Sequence, residues 1–276
     1  MLFTRAARFG LSALTALGMS VAAAQPASAQ DAAPAAPPVV VTGGLDFVNQ
    51  YNFRGIRQNT EGVSIWPFID FGFTPYRGDG ALKTVTLNVG TWNAGHTALD
   101  DNKWYESDIY GTVGFGFGTT ALGVTYTSYT SPADLFAHVK ELALKLSVDD
   151  SAAMGRGALK PYALVAFELA DEGQADAGVS KGTYVELGIA PGYSGARASL
   201  AVPVKIGLSG SDYYEFASGD DSKFGYFSIG GLVTVPMGAH LNVHGGVEFQ
   251  AFGDTLEAYN GQDTAGIASI GLGFAF

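Results

Sequence analysis

The last ten residues of the chain alternate strictly between large apolar and small side chains. Ile270, Leu272, Phe274 and Phe276 occupy every second position, and Ser, Gly or Ala stands between them. Successive side chains of a β-strand point to opposite faces, so this segment has one apolar face and one nearly bare face. A chain made of such segments must form a sheet whose two faces meet different surroundings.

Segments of this kind recur along the chain and predict twelve strands. Most are near the ~9–11 residues with which a tilted strand crosses a bilayer. Short turns follow most even-numbered segments, whereas longer, acidic loops tend to follow the odd-numbered ones. This asymmetry is typical of outer-membrane barrels, and an even strand count places both chain ends on the short-turn, periplasmic side. The predicted strands are residues 40–53, 63–74, 81–92, 104–117, 119–129, 137–148, 158–169, 182–190, 197–207, 223–236, 239–252 and 265–276.

A membrane location would require this sheet to be closed. Beyond the N-terminal region, no segment has the roughly 18 apolar residues of a membrane helix, and lipid cannot satisfy the edge of an open sheet. A soluble β-sandwich also alternates, but the long strands, the loop asymmetry and the aromatic C-terminus favour a barrel. We therefore predict an all-β fold over residues 39–276: a transmembrane, antiparallel, up-and-down barrel of twelve strands.

The N-terminal region predicts export. Arg5 and Arg8 precede an apolar stretch, and Ala27-Ser28-Ala29 forms a small-x-small cleavage site. This pattern is that of a secretory signal peptide over residues 1–29. Residues 30–38, rich in Ala and Pro, predict a short periplasmic leader. We expect the protein in the outer membrane of a Gram-negative bacterium.

Composition excludes several classes of function. Loss of the two signal-peptide arginines changes the formal net charge from −11 to −13, which argues against a nucleic-acid partner. The chain contains no cysteine, so disulfides, lipoprotein anchoring and thiolate metal sites are excluded. His244 and Glu248 would lie about 13 Å apart on a strand, too far to share one ion. We found neither a Gly-x-Ser-x-Gly elbow nor a serine obviously beside a histidine, and we predict no enzyme, cofactor or metal.

The polar faces of the predicted strands would line the lumen. Charges there either pair across the lumen and close it, or line water and bias which ions pass. A barrel of about eight strands is filled by side chains and one of about sixteen holds a channel, so twelve leaves both outcomes open. The predicted lining residues are Asp46, Arg54, Trp66, Asp70, Glu106, Asp108, Tyr110, Lys145, Lys160, Glu168, Glu186, Lys205, His244 and Glu248.

Two features resemble known outer-membrane proteins. The terminal strand that closes on Phe276 resembles the end of bacterial outer-membrane barrels, which implies that Ile270, Leu272, Phe274 and Phe276 act as the signal for the barrel-assembly machinery. Tyr51-Asn-Phe-Arg-Gly-Ile-Arg-Gln58 resembles a motif near the start of the TorF-type porin family of proteobacteria. The similar positions are Tyr51, Phe53, Arg54, Gly55, Ile56 and Gln58, whereas Arg57 departs from the family pattern.

Two later stretches extend this resemblance, which covers chiefly residues 40–115. Gly90-Thr-Trp92 and Tyr105-Glu-Ser-Asp-Ile-Tyr110 are similar to the family's third and fourth strands. Within the first motif, Gly55 would let the chain leave the strand. We expect Arg54 to face inward, where an acid of a neighbouring strand could hold it. Arg54 would then either fix a loop or act as a pore-mouth cation that helps select solutes.

The expected function is a porin-like channel for passive diffusion of small hydrophilic solutes, with a mild preference for cations or neutral solutes. The alternative is a plugged structural or adhesive barrel without a conducting pore, whose acidic surface loops bind partners or divalent cations. Asp100-Asp101, Asp171-Glu172 and Asp220-Asp221 are the acidic clusters of those loops. The expected partners are outer-membrane lipid, lipopolysaccharide, the barrel-assembly machinery and the solutes, and the sequence does not fix the oligomeric state.

Overall fold

Twelve antiparallel strands close into a barrel, as the sequence predicts. The computed structural model describes residues 39–99, 103–169, 173–216 and 219–276. The predicted signal peptide, the leader and the acidic pairs Asp100-Asp101 and Asp171-Glu172 lie outside the described residues.

The strands of the structure are β1 Val39–Val48, β2 Asn52–Phe53, β3 Ile56–Arg57, β4 Ser64–Arg77, β5 Thr84–His96, β6 Trp104–Phe117, β7 Thr120–Thr130, β8 Val139–Val148, β9 Tyr162–Glu168, β10 Thr183–Ile189, β11 Gly192–Ser194, β12 Ser199–Ala201, β13 Val204–Ser211, β14 Phe224–Pro236, β15 Leu241–Phe252 and β16 Thr264–Ala275. Two short helices, α1 Ser151–Met154 and α2 Asp254–Asn260, lie in connections. β12 and β13 both pair with β14 and form one barrel strand, interrupted at Val202 and Pro203. β11 adds a short hairpin to β12, and β2 pairs only with β3.

The first and last barrel strands close the cylinder. β1 pairs with β16 from Thr42↔Ala275 to Val48↔Ser269, and β15 joins β16 to β14. Each barrel strand therefore has a hydrogen-bonded neighbour on both sides, whereas the short β11 pairs on one side, with β12. Both Val39 and Phe276 lie at one end of the barrel, together with the connections 78–83, 118–119, 149–161 and 237–240. We call this the short-turn end, and the opposite one the long-loop end.

The register assigns a face to each residue of the strands. Outward positions carry large apolar side chains, among them Ile109 and Val247, which are 65% and 63% exposed. Inward positions carry carboxylates, lysines, hydroxyls and glycines, as in the row Asp46↔Gly271↔His244 across β1, β16 and β15. A polar interior and an exposed apolar exterior reverse the arrangement of a water-soluble protein. Among the described residues, no helix is long and apolar enough to cross a membrane.

The first predicted strand differs from the structure. The sequence predicts an extended segment to residue 53, but β1 ends at Val48 and residues 49–60 turn into the lumen. Within this segment β2 and β3 pair through Asn52↔Arg57 and Phe53↔Ile56 around a two-residue turn. Arg54 and Gly55 form the turn with φ values of +50° and +84°, the backbone that a type I′ hairpin requires. We call residues 49–60 the first-loop hairpin.

The outward apolar face predicts a specific response to charge. Val247 lies near the middle of β15, so Val247→Arg should reduce the free energy of unfolding from lipid vesicles by about 2–4 kcal/mol, the cost of a cation at the bilayer midplane. Val179→Arg is the matched control, because Val179 is 83% exposed in a connection of the long-loop end. Denaturant titration in vesicles measures both variants, and equal effects would contradict the assignment of the outward face to lipid.

Candidate functional site

The first-loop hairpin lies across the lumen at the long-loop end. Tyr51, Phe53 and Ile56 are all buried, although they belong to a loop. Two aromatic-rich clusters surround them: one contains Tyr51 and Phe53, and the other contains Ile56. The hairpin therefore supplies the centre of a core that the strands alone do not fill.

Arg54 at the tip of the hairpin forms a bidentate ion pair with Glu141 of β8. Its Nη1 lies 2.5 Å from Glu141 Oε2 and its Nη2 lies 2.7 Å from Oε1. Nη1 also donates to the Tyr213 hydroxyl at 2.9 Å, and the guanidinium lies 4.3 Å from the ring centroid of Tyr184. A planar guanidinium that bridges both carboxylate oxygens is among the stronger side-chain contacts in proteins. Glu141 lies on β8, and the sheet places β4, β5, β6 and β7 between β1 and β8. The partner of Arg54 therefore does not come from a strand adjacent to β1.

On one side, the hairpin packs against aromatic rings of β4, β5 and β6. The ring of Tyr51 lies 5.2 Å from that of Trp66, 5.4 Å from that of Trp92 and 6.5 Å from that of Tyr105, measured between centroids. Tilted and edge-on arrangements at these distances are favourable for aromatic pairs. These contacts fix the entry of the hairpin into the lumen.

On the other side, the hairpin reaches β14, β15 and α2. Asn52 Nδ2 donates to Gln250 Oε1 at 2.8 Å, and Asn260 Nδ2 donates to the carbonyl oxygen of Gly55 at 2.8 Å. A Cβ atom at Gly55 would lie only 2.8 Å from Leu256 Cδ1, so glycine is required by packing as well as by its positive φ. Contacts with opposite walls mean that the hairpin spans the lumen and occludes it.

A second layer of loop lies beside the hairpin and is organised by buried carboxylates. Asp176 Oδ2 accepts hydrogen bonds from the backbone N–H groups of Glu215 and Phe216, both at 2.9 Å, next to Tyr213 and Tyr214. Burial raises the pKa of the Asp176 carboxyl, and these backbone donors oppose the rise. The Tyr214 hydroxyl donates to the carbonyl oxygen of Arg54 at 3.0 Å, which ties this loop to the hairpin.

The lumen at the short-turn end is lined by a network around Glu186. Its carboxylate accepts hydrogen bonds from Tyr162 at 2.8 Å, Tyr184 at 2.7 Å and Tyr226 at 3.1 Å. Lys145 Nζ lies 4.3 Å from the ring centroid of Tyr162. Glu186 and Lys145 are only half-buried, so this part of the lumen is less completely filled than the hairpin region.

The remaining lumen charges form separate contacts. His244 Nε2 lies 2.5 Å from Asp46 Oδ1, and Asn88 Nδ2 donates to Asp70 Oδ1 at 2.7 Å. Glu248 Oε1 accepts hydrogen bonds from Ser228 and from Gln250. No group of three or more His, Asp or Glu side chains within the described ranges is placed to hold a metal ion.

The structure places most of the predicted lining residues on inward strand positions. Arg54 reaches the lumen from the hairpin, whereas Lys160 lies in the connection before β9, where its backbone N–H donates to Asp150 at 2.9 Å. The inward positions are Asp46, Trp66, Asp70, Glu106, Asp108, Tyr110, Lys145, Glu168, Glu186, Lys205, His244 and Glu248. Of the terminal residues, Ile270, Leu272 and Phe274 alternate on the outward face, and Phe276 stacks on His240 at 4.8 Å.

Sequence reasoning missed Glu141, the partner of Arg54. A signal for it exists in β8, because Glu141 shares its face with Lys145 and alternates with the outward Leu142 and Leu144. Its pairing with Arg54, 87 residues away in sequence, has no local signal. The buried Tyr213 and Tyr214 were also missed, since they follow β13 in a connection.

A serine does lie beside a histidine, contrary to the expectation from sequence. Ser128 Oγ and His138 Nε2 are 2.8 Å apart at the long-loop end. Ser128 stands on an outward position of β7 between Ile109 and Lys140. No described residue forms a hydrogen bond with the other ring nitrogen of His138, so the pair lacks the third group that orients a catalytic histidine.

No protein-family model matches this chain, and no characterised protein matches it in sequence. Among solved structures, the translocator domain of the autotransporter NalP from Neisseria meningitidis is 11% identical, with 87% of this chain and 88% of that chain covered and a TM-score of 0.46. The outer membrane phospholipase A from Escherichia coli is 12% identical, covering 84% and 92% with a TM-score of 0.44. The NanC porin is 12% identical, covering 86% and 98% with a TM-score of 0.43. Their names describe three different activities, so this similarity assigns none to the chain.

The ion pair of the hairpin predicts the effect of removing Arg54. Arg54→Ala would leave the buried Glu141 carboxylate uncompensated, a change that costs about 3–5 kcal/mol in comparable buried pairs. We expect the hairpin to leave the lumen more often, with faster amide hydrogen exchange at Phe53 and Ile56 while the barrel strands keep their protection.

Two further variants control this experiment. Arg57→Ala removes a nearby arginine that donates to the backbone carbonyls of Asn59 and Thr60 and forms no ion pair with a carboxylate of the described residues, so its effect should be much smaller. Glu141→Gln combined with Arg54→Ala should recover part of the protection, because no unpaired charge then remains buried. Equal exchange in Arg54→Ala and Arg57→Ala would show that the ion pair does not hold the hairpin.

Proposed function

We propose that this protein is an outer-membrane channel of the TorF type for small hydrophilic solutes, in a Gram-negative bacterium, and that the first-loop hairpin closes it. One observation carries the proposal. The barrier across the lumen is a loop segment held by side-chain contacts and a ladder of two residue pairs, Asn52↔Arg57 and Phe53↔Ile56. A barrier of this kind can move without breaking the barrel.

The wall of the barrel supports a water-filled path once the hairpin moves. Inward positions near the short-turn end carry glycine and polar groups, among them Gly72, Asn88 and Gly114. Glu186 and Lys145 keep partial exposure there. Polar lining and small side chains are what a hydrated lumen requires.

The charge of this lining supports a preference for cations. Carboxylates outnumber the basic groups Arg54, Lys145 and Lys205 on the inward face, and a net negative pore attracts cations and repels anions. Neutral solutes would pass with little selection by charge. The inward carboxylates are Asp46, Asp70, Glu106, Asp108, Glu141, Glu168, Glu186 and Glu248.

A permanently plugged structural or adhesive barrel is the alternative. The packing of Tyr51 against Trp66 and Trp92, together with the buried Arg54–Glu141 pair, favours it. The two functions differ in one property, the ability of the hairpin to leave the lumen while the barrel stays folded.

A lipid hydrolase is a second candidate, favoured by the Ser128–His138 contact. Ester hydrolysis by such a pair also needs an oriented histidine and donors for the oxyanion. The backbone around Ser128 belongs to the ladders of β6, β7 and β8, which leaves few free N–H groups. We therefore expect no labelling of Ser128 by a serine-reactive fluorophosphonate, and labelling abolished by Ser128→Ala would favour this candidate instead.

Conductance in planar bilayers tests the proposal. The chain contains no cysteine, so Asn52→Cys with Gln250→Cys places one thiol on the hairpin and one on β15, where the native side chains touch. We expect currents from the untreated double variant, loss of current when a short bis-methanethiosulfonate cross-linker joins the two thiols through disulfides with loss of methanesulfinate, and return of current after reduction of those disulfides. Arg54→Ala should raise the open fraction further.

The wild-type protein exposed to the same reagent is the control, since it offers no thiol. Absence of current from the wild type, from the double variant before cross-linking and from Arg54→Ala would establish the plugged barrel. Currents that persist after cross-linking would show that the hairpin is not the barrier.

A further inference from the structure

Two acids lie buried side by side on β6, where the hairpin meets the wall. Glu106 and Asp108 occupy successive inward positions and are only 4% and 0% exposed. Positions i and i+2 of a strand share a face, so the two carboxyl groups interact electrostatically. Neither acid is part of the Arg54–Glu141 ion pair, because both terminal guanidinium nitrogens of Arg54 donate to Glu141.

The surroundings of this pair supply little compensation for negative charge. Neither Asp108 oxygen accepts a hydrogen bond of normal geometry from a described residue. Its neighbours across the sheet are Trp92 on β5 and Tyr129 on β7. The Tyr51 hydroxyl of the hairpin is directed at Glu106 but completes no hydrogen bond of normal geometry.

Two carboxylates that occupy successive inward positions of one strand, out of water, cannot both remain ionised at low cost. Each charge raises the energy of the other, and burial removes the water that would screen them. The closed lumen is therefore stable when one proton stays on the pair, which turns mutual repulsion into a carboxyl–carboxylate hydrogen bond. Withdrawal of Tyr51 would admit water, and both acids could then ionise.

We propose that Glu106 and Asp108 share a proton while the first-loop hairpin is in the lumen, and that loss of this proton releases the hairpin and opens the channel. This inference rests on the proposed function, since it names the regulation of the same site. Tyr51 couples the hairpin to the pair, because its ring packs against Trp66 and Trp92 and its hydroxyl interacts with Glu106.

The sign of the pH dependence follows from proton counting. The closed form binds one proton more than the open form, so acid favours closure and a rise in pH favours opening. One coupled proton changes the ratio of open to closed channels by at most about tenfold per pH unit. Burial, followed by the charges of Glu106 and Asp108, raises the pKa of the Tyr51 hydroxyl well above its usual value. Tyr51 therefore stays neutral and does not supply the response.

Other titratable groups in this part of the lumen require their own controls. His96 on β5 is buried with both ring nitrogens unpartnered among the described residues, and its protonation at low pH would act against a packed closed state. The groups that face the pair from the hairpin and from the adjoining strands are Tyr51, Arg54, His96, Tyr105, Tyr110, Tyr129 and Glu141.

Thiol labelling and conductance together test the switch. In an otherwise cysteine-free chain, Asn52→Cys reports exposure of the hairpin, and Val179→Cys reports the intrinsic reactivity of an exposed thiol. We expect the ratio of their labelling rates by a water-soluble maleimide to rise several-fold from about pH 5 to about pH 8. Asp108→Asn and Glu106→Gln, which keep one neutral partner, should abolish this rise and hold the channel closed.

Asp70→Asn and His96→Gln are the controls and should keep the rise, because Asp70 is bonded to Asn88 away from the hairpin. A labelling ratio independent of pH in the wild type, or an unchanged rise in both Asp108→Asn and Glu106→Gln, would overturn the switch. A pH-dependent ratio that these variants abolish, without current at any pH, would keep the switch and reject the channel.

Discussion

Closure of the sheet through β1 and β16 is the constraint on which the rest of the structure depends. The ladder from Thr42↔Ala275 to Val48↔Ser269 leaves no row of unpaired N–H and C=O groups along the barrel wall. In hydrocarbon such groups would each cost several kcal/mol. Because strands alternate their side chains, a closed cylinder with an apolar exterior must also enclose its polar groups. The alternation that places apolar side chains against lipid therefore also directs carboxylates, tyrosines and lysines into the lumen.

The inward side chains of these twelve strands do not fill the long-loop end of the lumen by themselves, because residues of the first-loop hairpin complete both buried clusters. The side chains of the first-loop hairpin fill the remaining space at this end of the lumen. Residues 54 and 55 adopt the positive φ values of a tight hairpin, and this turn points the chain into the lumen instead of away from it. Arg54 then finds Glu141 across the barrel, and Tyr51 completes an aromatic cluster on the near wall. Closure of the lumen is therefore a consequence of a local turn followed by long-range side-chain contacts.

The strands could be predicted because their signal is local. Alternation over about ten residues and the difference in loop length were enough for the number of strands, their direction and the inward face of residues such as Asp108 and Glu248. The hairpin could not be predicted in the same way. Residues 49–53 continue the alternation of β1, so pattern alone extends the strand to Phe53. Gly55 indicates that the chain leaves the strand there, but the two positive φ values and the inward direction of the hairpin are known only from the structure.

Contacts between distant segments account for what sequence reasoning missed. Glu141 looks like any other inward acid of β8 until Arg54 is placed opposite it. The Ser128–His138 contact likewise depends on the register between β7 and β8, which a single sequence does not specify. The sequence predicts that Arg54 pairs with an acid of a neighbouring strand. In the structure it pairs with an acid on the other side of the lumen.

Solid-state NMR in lipid bilayers tests the central claim most directly. The experiment measures transfer between the guanidinium nitrogens of Arg54 and the carboxyl carbon of Glu141, whose oxygen lies 2.5 Å from the nearest nitrogen in the structure. The account predicts a strong contact in the folded, membrane-embedded protein, together with contacts between the rings of Tyr51 and Trp66. A well-folded barrel in lipid that shows neither contact, with Arg54 exposed to water, would contradict it.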